Sequence, residues 1–272
     1  MLKFGGSIVV IAAVAALVGP ALAPFDASAQ DLALRLSGPT LAHPFGLDEL
    51  GRDILARVLA GARISFLVGI TVVSVSASVG TALGAIAGYF GGVADDVISR
   101  VIDMLLAFPG LLLAIALVAV LGPNLRNVLM ALTIGGWVGY ARLVRGQALR
   151  ARELEYVHAA RALGAGSVRI LWRHVIPLAI PSVVVQGTLG MAGAILGEAA
   201  LSFLGLGVQP PTPSWGTMLN GGRAHLLDAP HLTLFPGLAI ALLVLGFNFL
   251  GDGLRDYADP KMVKGTRARD LA

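Results

Sequence analysis

The chain contains no cysteine, which excludes a disulfide framework and a metal site built on thiolates. Charge is also scarce, since 13% of the 272 residues are charged, whereas soluble domains carry roughly 25%. Hydrophobic residues make up 56% of the chain, above the roughly 45 to 50% that is usual. This balance is typical of a membrane protein whose few charges mark its loops.

Lysine is the rarest of the charged residues. The three lysines, Lys3, Lys261 and Lys264, lie near the two ends of the chain, so no GxxxxGK[ST] sequence can form and the chain has no P-loop for the phosphates of ATP. The HExxH and GxSxG motifs of hydrolases are absent from the sequence as well. We therefore expect a chain without catalytic activity.

Apolar runs of spanning length are abundant. Each can cross a hydrocarbon core about 30 Å thick, and inside lipid each must be helical to pair its backbone groups. Six such runs cover residues 5–24, 64–90, 98–121, 128–147, 178–204 and 232–251. The first also resembles a cleavable secretory signal, because small residues at 27–29 follow it. The predicted fold is all-α, a polytopic membrane protein with six transmembrane helices.

Basic residues cluster in two windows, and this bias predicts the orientation of the spans. Seven arginines lie within 142–173, and the C-terminal tail is basic as well. By the positive-inside rule both windows and both termini are cytoplasmic, and this placement beside apolar spans argues against a nucleic acid as partner. The rule does not explain why Arg52, Arg57 and Arg63 would then lie close together on the outer side.

Small residues recur at helical spacing within the predicted spans, where they let helix backbones approach closely. Gly80, Gly84 and Gly88 form a double GxxxG in the second span, and Gly193 and Gly197 repeat the spacing in the fifth. We expect tight packing within one bundle, with contact to a second membrane subunit as the alternative.

Ionisable and polar side chains inside spans are costly, so they are candidates for lining or gating a pathway. Glu198 is the strongest candidate, because it falls late in the fifth span and needs a partner, a water-filled cavity or a position near the outer surface. A structural hydrogen bond is the alternative role. Asp103, which could pair with Arg100, joins Gln186 and Asn248 as a further candidate.

Two histidines and an aspartate raise the question of a metal site. His225, Asp228 and His231 recur at every third position of the second outer loop, in residue types that suit zinc or nickel. Pro230 interrupts any helix that would align them. We therefore predict three loop residues and no metal site.

A basic interruption, EYVHAARALGAGSVRILWRHVIPLAIP, occupies residues 155–181 between two apolar spans. Its apolar spacing predicts two short amphipathic helices. The apolar positions are Tyr156, Ala159, Ala160 and Leu163 in the first, and Val168, Leu171, Trp172 and Val175 in the second. Gly164 and Gly166 allow a turn, Ser167 can cap the second helix and Pro177 ends it. Such a short hairpin must rest on its own bundle, on lipid or on a partner protein.

The same stretch resembles the EAA loop of ABC importer permeases, whose pattern is E-A-A, three residues, G, nine residues, then I-x-L-P. The glycine and proline spacing is kept, while His158, His174 and Ile176 stand in place of the usual Glu, Ile and Leu. The resemblance implies that coupling to an ATPase falls on His158, Ala159, Ala160, Gly164, Trp172, Arg173, His174, Ile176 and Pro177.

Three further stretches resemble the dipeptide, oligopeptide and nickel family of these permeases, specifically its second or "C"-type subunit. They are HPFGLDELGRDILARVLAGARIS (43–65), AALSFLGLGVQPPTPSWG (199–216) and GDGLRDYADP (251–260). The resemblance covers nearly the whole chain and implies a type I ABC importer transmembrane domain (MetI-like). It divides the chain into an N-terminal helix with an outer loop (1–62), a permease domain (63–256) with the EAA loop at 152–177, and a cytoplasmic tail (257–272).

The resemblance implies a permease subunit of an ATP-driven importer of the bacterial inner membrane, with dipeptides or oligopeptides as cargo. Its implied partners are a homologous second permease, two cytoplasmic ATPases that bind ATP and Mg²⁺, and a periplasmic solute-binding protein. The chain itself would hold no cofactor. Related permeases carry nickel complexes, glutathione or other small solutes, which stay open as alternatives. A self-sufficient channel or secondary transporter is a different class, which the scarcity of buried charge disfavours, and an intramembrane enzyme is a third.

Overall fold

The computed structural model of the protein describes residues 1–258, and within that range the regular structure is helical. Its ten α-helices are α1 (Leu2–Leu22), α2 (Ile54–Phe90), α3 (Gly92–Leu106), α4 (Gly110–Leu121), α5 (Leu125–Ala151), α6 (Glu155–Ala162), α7 (Ser167–Ile170), α8 (Ile176–Phe203), α9 (Trp215–Gly222) and α10 (His231–Ala258). A π-helical turn, Leu171–Val175, joins α7 to α8. The all-α prediction is confirmed, and most of the predicted cytoplasmic tail (257–272) lies outside the described residues.

The third predicted span, 98–121, is wrong as a single helix. Five helical segments are long and apolar enough to cross a membrane, and α3 with α4 makes a sixth if this pair, bent by 85°, is one span. The break falls at Pro109. Proline donates no backbone N–H and disfavours helical conformation in the residue before it, so α3 ends at Leu106 and α4 begins at Gly110.

The α2 and α5 helices run parallel, and this relationship determines the path of the chain between them. Gly80 of α2 lies against Trp137 of α5, and Gly88 lies against Arg145 further along both helices. Because the two helices advance in the same direction, the bent α3–α4 pair has to carry the chain back across the bundle. The prediction of tight glycine packing within one bundle is confirmed for this helix pair.

The two ends of the described chain lie at the same end of the bundle. Gly253, near the end of α10, packs against Leu2 at the start of α1. Gly19, near the end of α1, packs against Leu59 near the start of α2. The start of α1 and the end of α10 therefore point toward the same side of the bundle as the end of α2.

Two of the arginines that the orientation rule left unexplained hold the loop before α2 together. Arg52 Nε lies 2.7 Å and Arg57 Nε 3.5 Å from the Oδ2 atom of Asp48. Arg57 also donates to the carbonyl oxygen of Ala27, at 3.1 Å. These arginines are partly or wholly buried, so their positive charge is compensated locally and serves the structure of the loop.

The third arginine, Arg63, donates hydrogen bonds to backbone carbonyl oxygens of α1. Its guanidinium donates to the carbonyl oxygens of Ala16 and Leu17, at 2.7 and 2.8 Å. Pro20 lies inside α1 and has no N–H, so the carbonyl of Ala16 lacks its helical partner. The arginine supplies the donor that the proline removes, and in doing so it ties α2 to α1.

Candidate functional site: the 152–177 hairpin and a central cavity

Residues 152–177 connect α5 to α8 and form a hairpin whose two arms are α6 and α7 with its π-helical extension. The inner face of the hairpin carries the buried side chains of Val157, Ile170 and Val175, which belong to one apolar cluster with Val144 of α5. Of the three supports that the sequence allowed, the hairpin rests on its own bundle.

The predicted apolar face of the first arm is wrong. Tyr156, Ala159 and Leu163 are exposed, with 88% of Leu163 accessible, and Val157 takes the buried position instead. A helix of 8 residues makes little more than two turns, so a single inward side chain is enough to seat it. Periodicity therefore could not identify which residue that is.

Gly164 closes the first arm. Its φ of +83° lies in the left-handed region that favours glycine. The N–H of Gly164 donates to the carbonyl of Arg161, and that of Ala165 donates to the carbonyl of Ala160, both at 3.0 Å. These paired bonds are those of a Schellman motif, which satisfies the last carbonyls of α6. The predicted turn at Gly164 is confirmed.

Two predictions about the second arm are wrong. Ser167 makes no side-chain cap, and Gly166 holds the N-cap position of α7. Pro177 ends no helix, because the helical segment runs without interruption over Ser167–Phe203. A proline is tolerated in the first turn of a helix, and the π-helical turn before it absorbs the irregularity. The second arm and α8 are consequently one continuous rod.

The outer face of the hairpin combines exposed positive charge with exposed apolar surface. The exposed residues are His158, Ala159, Arg161, Leu163, Gly164, Val168, Arg169, Trp172, Arg173 and Pro177, and the half-buried ones include Ala160, His174 and Ile176. A surface of this composition is complementary to a partner that offers apolar contact and acidic groups.

Two aromatic contacts bind the first arm to its neighbours. The guanidinium of Arg161 lies 5.8 Å from the centre of the Tyr89 ring at the end of α2, within the range of a cation–π interaction. The rings of Tyr156 and His174 lie 5.7 Å apart and join α6 to the π-helical turn. These contacts attach the first arm to the end of α2 and to the second arm of the hairpin.

A central cavity of about 340 Å³ lies between α2, α4, α5 and α8. Its polar wall includes Gln186, one of the predicted pathway residues, and Tyr140, whose hydroxyl donates to the carbonyl of Gln186 at 3.4 Å. Glycines form much of the remaining wall: Gly110, Gly135, Gly136, Gly190, Gly193 and Gly197.

The sequence did not identify Tyr140 or most of these glycines as cavity residues. Gly193, predicted to pack against another helix, has nothing within 4 Å of where a Cβ would lie, whereas Gly197 packs against Leu132. The sequence alone does not distinguish a glycine that packs against another helix from a glycine that lines a cavity. The recurrence of glycine at 190, 193 and 197 was the available signal.

Two other predicted pathway residues lie away from this cavity. Asp103 is exposed on α3, and its Oδ1 atom lies 3.4 Å from Arg142 rather than near the predicted partner Arg100. Asn248 is half-buried on α10 and does not line the cavity. Of the four predicted residues, Gln186 is the one that reaches the cavity wall.

Glu198 is fully buried and does not line the cavity. Its Oε1 atom accepts a hydrogen bond of 2.6 Å from the hydroxyl of Ser202, which in turn accepts one of 3.1 Å from the N–H of Val208. Within the described residues the Oε2 atom has no hydrogen-bond partner. This geometry favours the structural hydrogen bond, the alternative role that the sequence allowed.

The three residues weighed as a metal site do not converge. His225 Nδ1 lies 3.0 Å from Asp228 Oδ2, and this hydrogen bond lowers the pKa of Asp228 from its ordinary value. His231 is buried, with Nε2 3.3 Å from the carbonyl oxygen of Leu47. Over residues 1–258 no group of three histidine or acidic side chains is placed to hold a metal.

Five apolar helices, or six with the bent α3–α4 pair, together with a glycine-lined cavity and an exposed basic hairpin are typical of the membrane subunit of a transporter. The chain belongs to the family described as binding-protein-dependent transport system inner membrane component, whose sequence pattern matches residues 80–264. The family predicted from the sequence is confirmed, and the chain is a multi-pass membrane protein.

Its relatives include named permeases. The chain is 50% identical over 242 residues to the glutathione transport system permease protein GsiD of Pectobacterium atrosepticum, covering 89% of this chain and 80% of that protein. It is also 50% identical over 228 residues to the dipeptide transport system permease protein DppC of Alkalihalophilus pseudofirmus, covering 84% and 75%.

The fold has a solved counterpart. A chain of the inward-facing MetNI methionine ABC transporter superposes with a TM-score of 0.56 at 19% identity, covering 74% of this chain and 94% of that one. At this identity the likeness shows the fold alone, and it confirms the predicted type I importer architecture.

Proposed function

We propose that the chain is a non-catalytic permease subunit of an ATP-driven importer, and that the 152–177 hairpin couples it to a cytoplasmic ATPase. The observation that carries the proposal is the uninterrupted helical segment Ser167–Phe203. One end of this rod is the exposed arm of the hairpin, and further along it Gln186 and Gly190 form part of the cavity wall. A displacement of the arm therefore reaches the cavity, about 25 Å away along the helix.

The energy for transport comes from the partners in this proposal. Two ATPase subunits bind ATP and Mg²⁺, and their closure draws the hairpins of this chain and of a homologous second permease together. Coupling requires that the hairpin contacts differ between two states. Because the side chains of Val157 and Ile170 are buried against the bundle, the hairpin can transmit that difference to α2, α5 and α8 without separating from them.

The hairpin end of the bundle is cytoplasmic in this proposal, and both termini lie there with it. Support comes from the seven arginines between residues 142 and 173, because short basic loops remain on the cytoplasmic side. Cargo then enters at the opposite end, delivered by a periplasmic solute-binding protein. There α9 is fixed by the indole N–H of Trp215, which donates to the carbonyl of Val58 at 2.9 Å.

The proposed cargo is a dipeptide or oligopeptide, and glutathione is the second candidate because one of the related permeases is named for it. The residues that line the central cavity are apolar, hydroxyl or amide in character and include no charged side chain. Such a wall offers few fixed charges with which to select among short peptides. Selection would accordingly rest with the solute-binding protein.

Reconstitution tests this function. The chain is purified with the P-loop ATPase that accompanies it, inserted into vesicles, and supplied with the solute-binding protein and either labelled dipeptide or labelled glutathione. The proposal expects uptake that needs all three proteins and ATP. ATP-independent uptake by this chain alone would assign it to the class of channels or secondary transporters instead.

A further inference from the structure

The N-terminus of α4 forms part of the wall of the central cavity. Gly110 and Leu111, the first two residues of α4, line the cavity and are exposed. Pro109, at the N-cap position, offers no side-chain acceptor to the helix. Within residues 1–258 the backbone N–H groups of Gly110, Leu111 and Leu112 have no hydrogen-bond acceptor. This part of the wall therefore carries free N–H donors at the positive end of a helix dipole.

The electrostatics of this helix end favour an anion. The dipole of an α-helix is equivalent to about half an elementary charge at its N-terminus, and free N–H groups there bind carboxylates and phosphates. A Cβ on Gly110 would meet nothing within 4 Å, so the space beside the first turn of α4 is open. The described residues that line the cavity include no charged side chain. The helix N-terminus is therefore the main source of positive potential in the wall.

Two polar side chains of the same cavity also have no partner in the described part of the chain. Ser76 of α2 is 1% exposed, and its hydroxyl makes no hydrogen bond there. Gln186 of α8 is half-buried, and its backbone carbonyl is bonded to Tyr140 while its side-chain amide is free. A buried polar group without a partner costs about 1 to 3 kcal/mol. These side chains indicate that the cavity receives a polar ligand.

A short peptide has the groups that this wall can bind. The cavity volume of about 340 Å³ lies within the roughly 300 to 1,000 Å³ that is usual for small-molecule sites. The C-terminal carboxylate of a peptide suits the helix N-terminus. The neighbouring peptide bond offers one donor and one acceptor, and the side-chain amide of a glutamine can pair with both. Every dipeptide carries these groups, whatever its side chains.

We propose that the N-terminus of α4 binds the C-terminal carboxylate of a peptide in the central cavity, and that Gln186 and Ser76 bind the adjacent main-chain amide. The inference rests on the proposed function, because it takes this cavity as the path of the cargo. It adds the part of the cargo that the cavity recognises. A site of this kind holds the main chain of a peptide and leaves the choice among side chains to the solute-binding protein.

Protection of a single cysteine from alkylation tests the proposal on the purified full chain in detergent. Gly193→Cys places a thiol on the cavity wall, because Gly193 is exposed and a Cβ there meets nothing within 4 Å. The reagent is N-ethylmaleimide, which is uncharged. Its rate is measured against the concentration of three solutes: glycylglycine, glycylglycinamide, which lacks the carboxylate, and 5-aminopentanoate, which lacks the amide. ATP, ATPase and solute-binding protein are absent, so this result is independent of whether ATP-driven uptake is observed.

We expect glycylglycine to halve the rate at a concentration about five-fold lower than either analogue requires. Gln186→Leu removes the advantage over 5-aminopentanoate and keeps the advantage over glycylglycinamide. Gly110→Asp removes the advantage over glycylglycinamide, because a carboxylate in the first turn occupies the helix N-terminus. Gly110→Asn, which has the same size and no charge, retains it. A Leu227→Cys variant, with its thiol at an exposed position outside the cavity, reacts at the same rate with and without each solute.

Three results overturn the proposal. Equal protection by the three solutes means that the cavity does not recognise the peptide main chain. If glycylglycine gives no protection, or if residue 193 does not react at all, the cavity admits no peptide. Unchanged melting temperatures in detergent establish that each variant is folded when it is compared.

Discussion

The guanidinium of Arg145 on α5 donates two hydrogen bonds to the carboxylate of Asp95 on α3, at 2.5 and 2.8 Å. The hydroxyl of Ser99 donates a third bond to the same carboxylate, at 3.2 Å. This bidentate pair fastens the first half of the broken third span to α5. Further along α3 an apolar contact adds to this attachment, because Ile102 is buried against Val138 and Ala141 of α5.

Asp95→Asn is therefore expected to lower the stability of the bundle. The pair is partly exposed, so we expect a loss of about 1 kcal/mol, seen as a lower melting temperature in detergent. Asp96→Asn is the matched control, because Asp96 is the exposed neighbour of Asp95 on the same helix. Equal effects of the two substitutions would show that the bidentate pair does not hold α3.

The contact between α2 and α5 predicts that replacing glycine by alanine changes the stability of the bundle differently at two positions. A Cβ on Gly84 would collide with the backbone carbonyl of Ala141, whereas one on Gly146 meets nothing within 4 Å. Gly84→Ala is expected to destabilise the bundle by about 1 to 3 kcal/mol through overpacking. Gly146→Ala is expected to be neutral or stabilising, since alanine favours a helix over glycine. Thermal unfolding of both variants in one detergent checks this order, and a reversed order would contradict the parallel packing of α2 on α5.

The amino-acid sequence predicted the spans well where they are long, uninterrupted apolar runs. Charged residues are excluded from such runs, and this can be recognised without knowing how the helices pack. It failed at 98–121, where the apolar run continues through Pro109 and hides the bend. The prediction that Pro177 ends a helix was wrong because a proline can either end a helix or lie in its first turn. The conformation of the surrounding backbone decides between the two. The turn at Gly164 was predicted correctly because a positive φ favours glycine whatever the rest of the fold.

Contacts between different helices could not be predicted from the sequence. Arg63 binds the carbonyl of Ala16 on another helix, a contact that only the packing of α1 on α2 creates. Glu198 and Ser202 are four residues apart and could have been paired from the sequence. Their burial, however, depends on α9, whose Gly216 packs against Ser202 and Ala199.

The hydrogen bond between Ser202 and Glu198 yields a third prediction. Ser202→Ala removes the 2.6 Å hydrogen bond that the buried carboxyl of Glu198 accepts, at an expected cost of about 1 to 3 kcal/mol. Ser76→Ala is the matched control, because the equally buried Ser76 hydroxyl has no hydrogen-bond partner within the described residues. The melting temperature should fall for Ser202→Ala and stay level or rise for Ser76→Ala. The same fall in both variants would remove the structural role assigned to Glu198.

The Schellman turn of the hairpin yields a fourth prediction, about coupling. Gly164→Asp forces a side chain into a left-handed position, at φ +83°, with open space around it. We expect insertion of the protein to be unaffected and both uptake and ATPase binding to be lost, as measured by vesicle uptake and co-purification.

The variant Gly166→Asp is the control that distinguishes the effect of the altered turn from the effect of the added negative charge. It places the same charge two residues further on, at a φ of −67° that any residue adopts, and a Cβ there also meets nothing. We expect this variant to keep most of its uptake. Normal transport by Gly164→Asp would refute the assignment of the hairpin, whereas equal losses in both variants would show that charge rather than turn geometry is responsible.

The most direct test of ATPase coupling uses the absence of cysteine from the natural sequence. An Ala159→Cys variant places one thiol on the exposed face of the hairpin, and a Leu227→Cys variant places one at an exposed position in the loop before α10. Each thiol is labelled with a photoreactive maleimide in intact membranes, and the cross-linked partners are identified by mass spectrometry. The account predicts that the probe at residue 159 captures a P-loop ATPase and that the probe at residue 227 does not. If the probe at residue 159 captures no ATPase in membranes that are actively importing peptide, the central claim is contradicted.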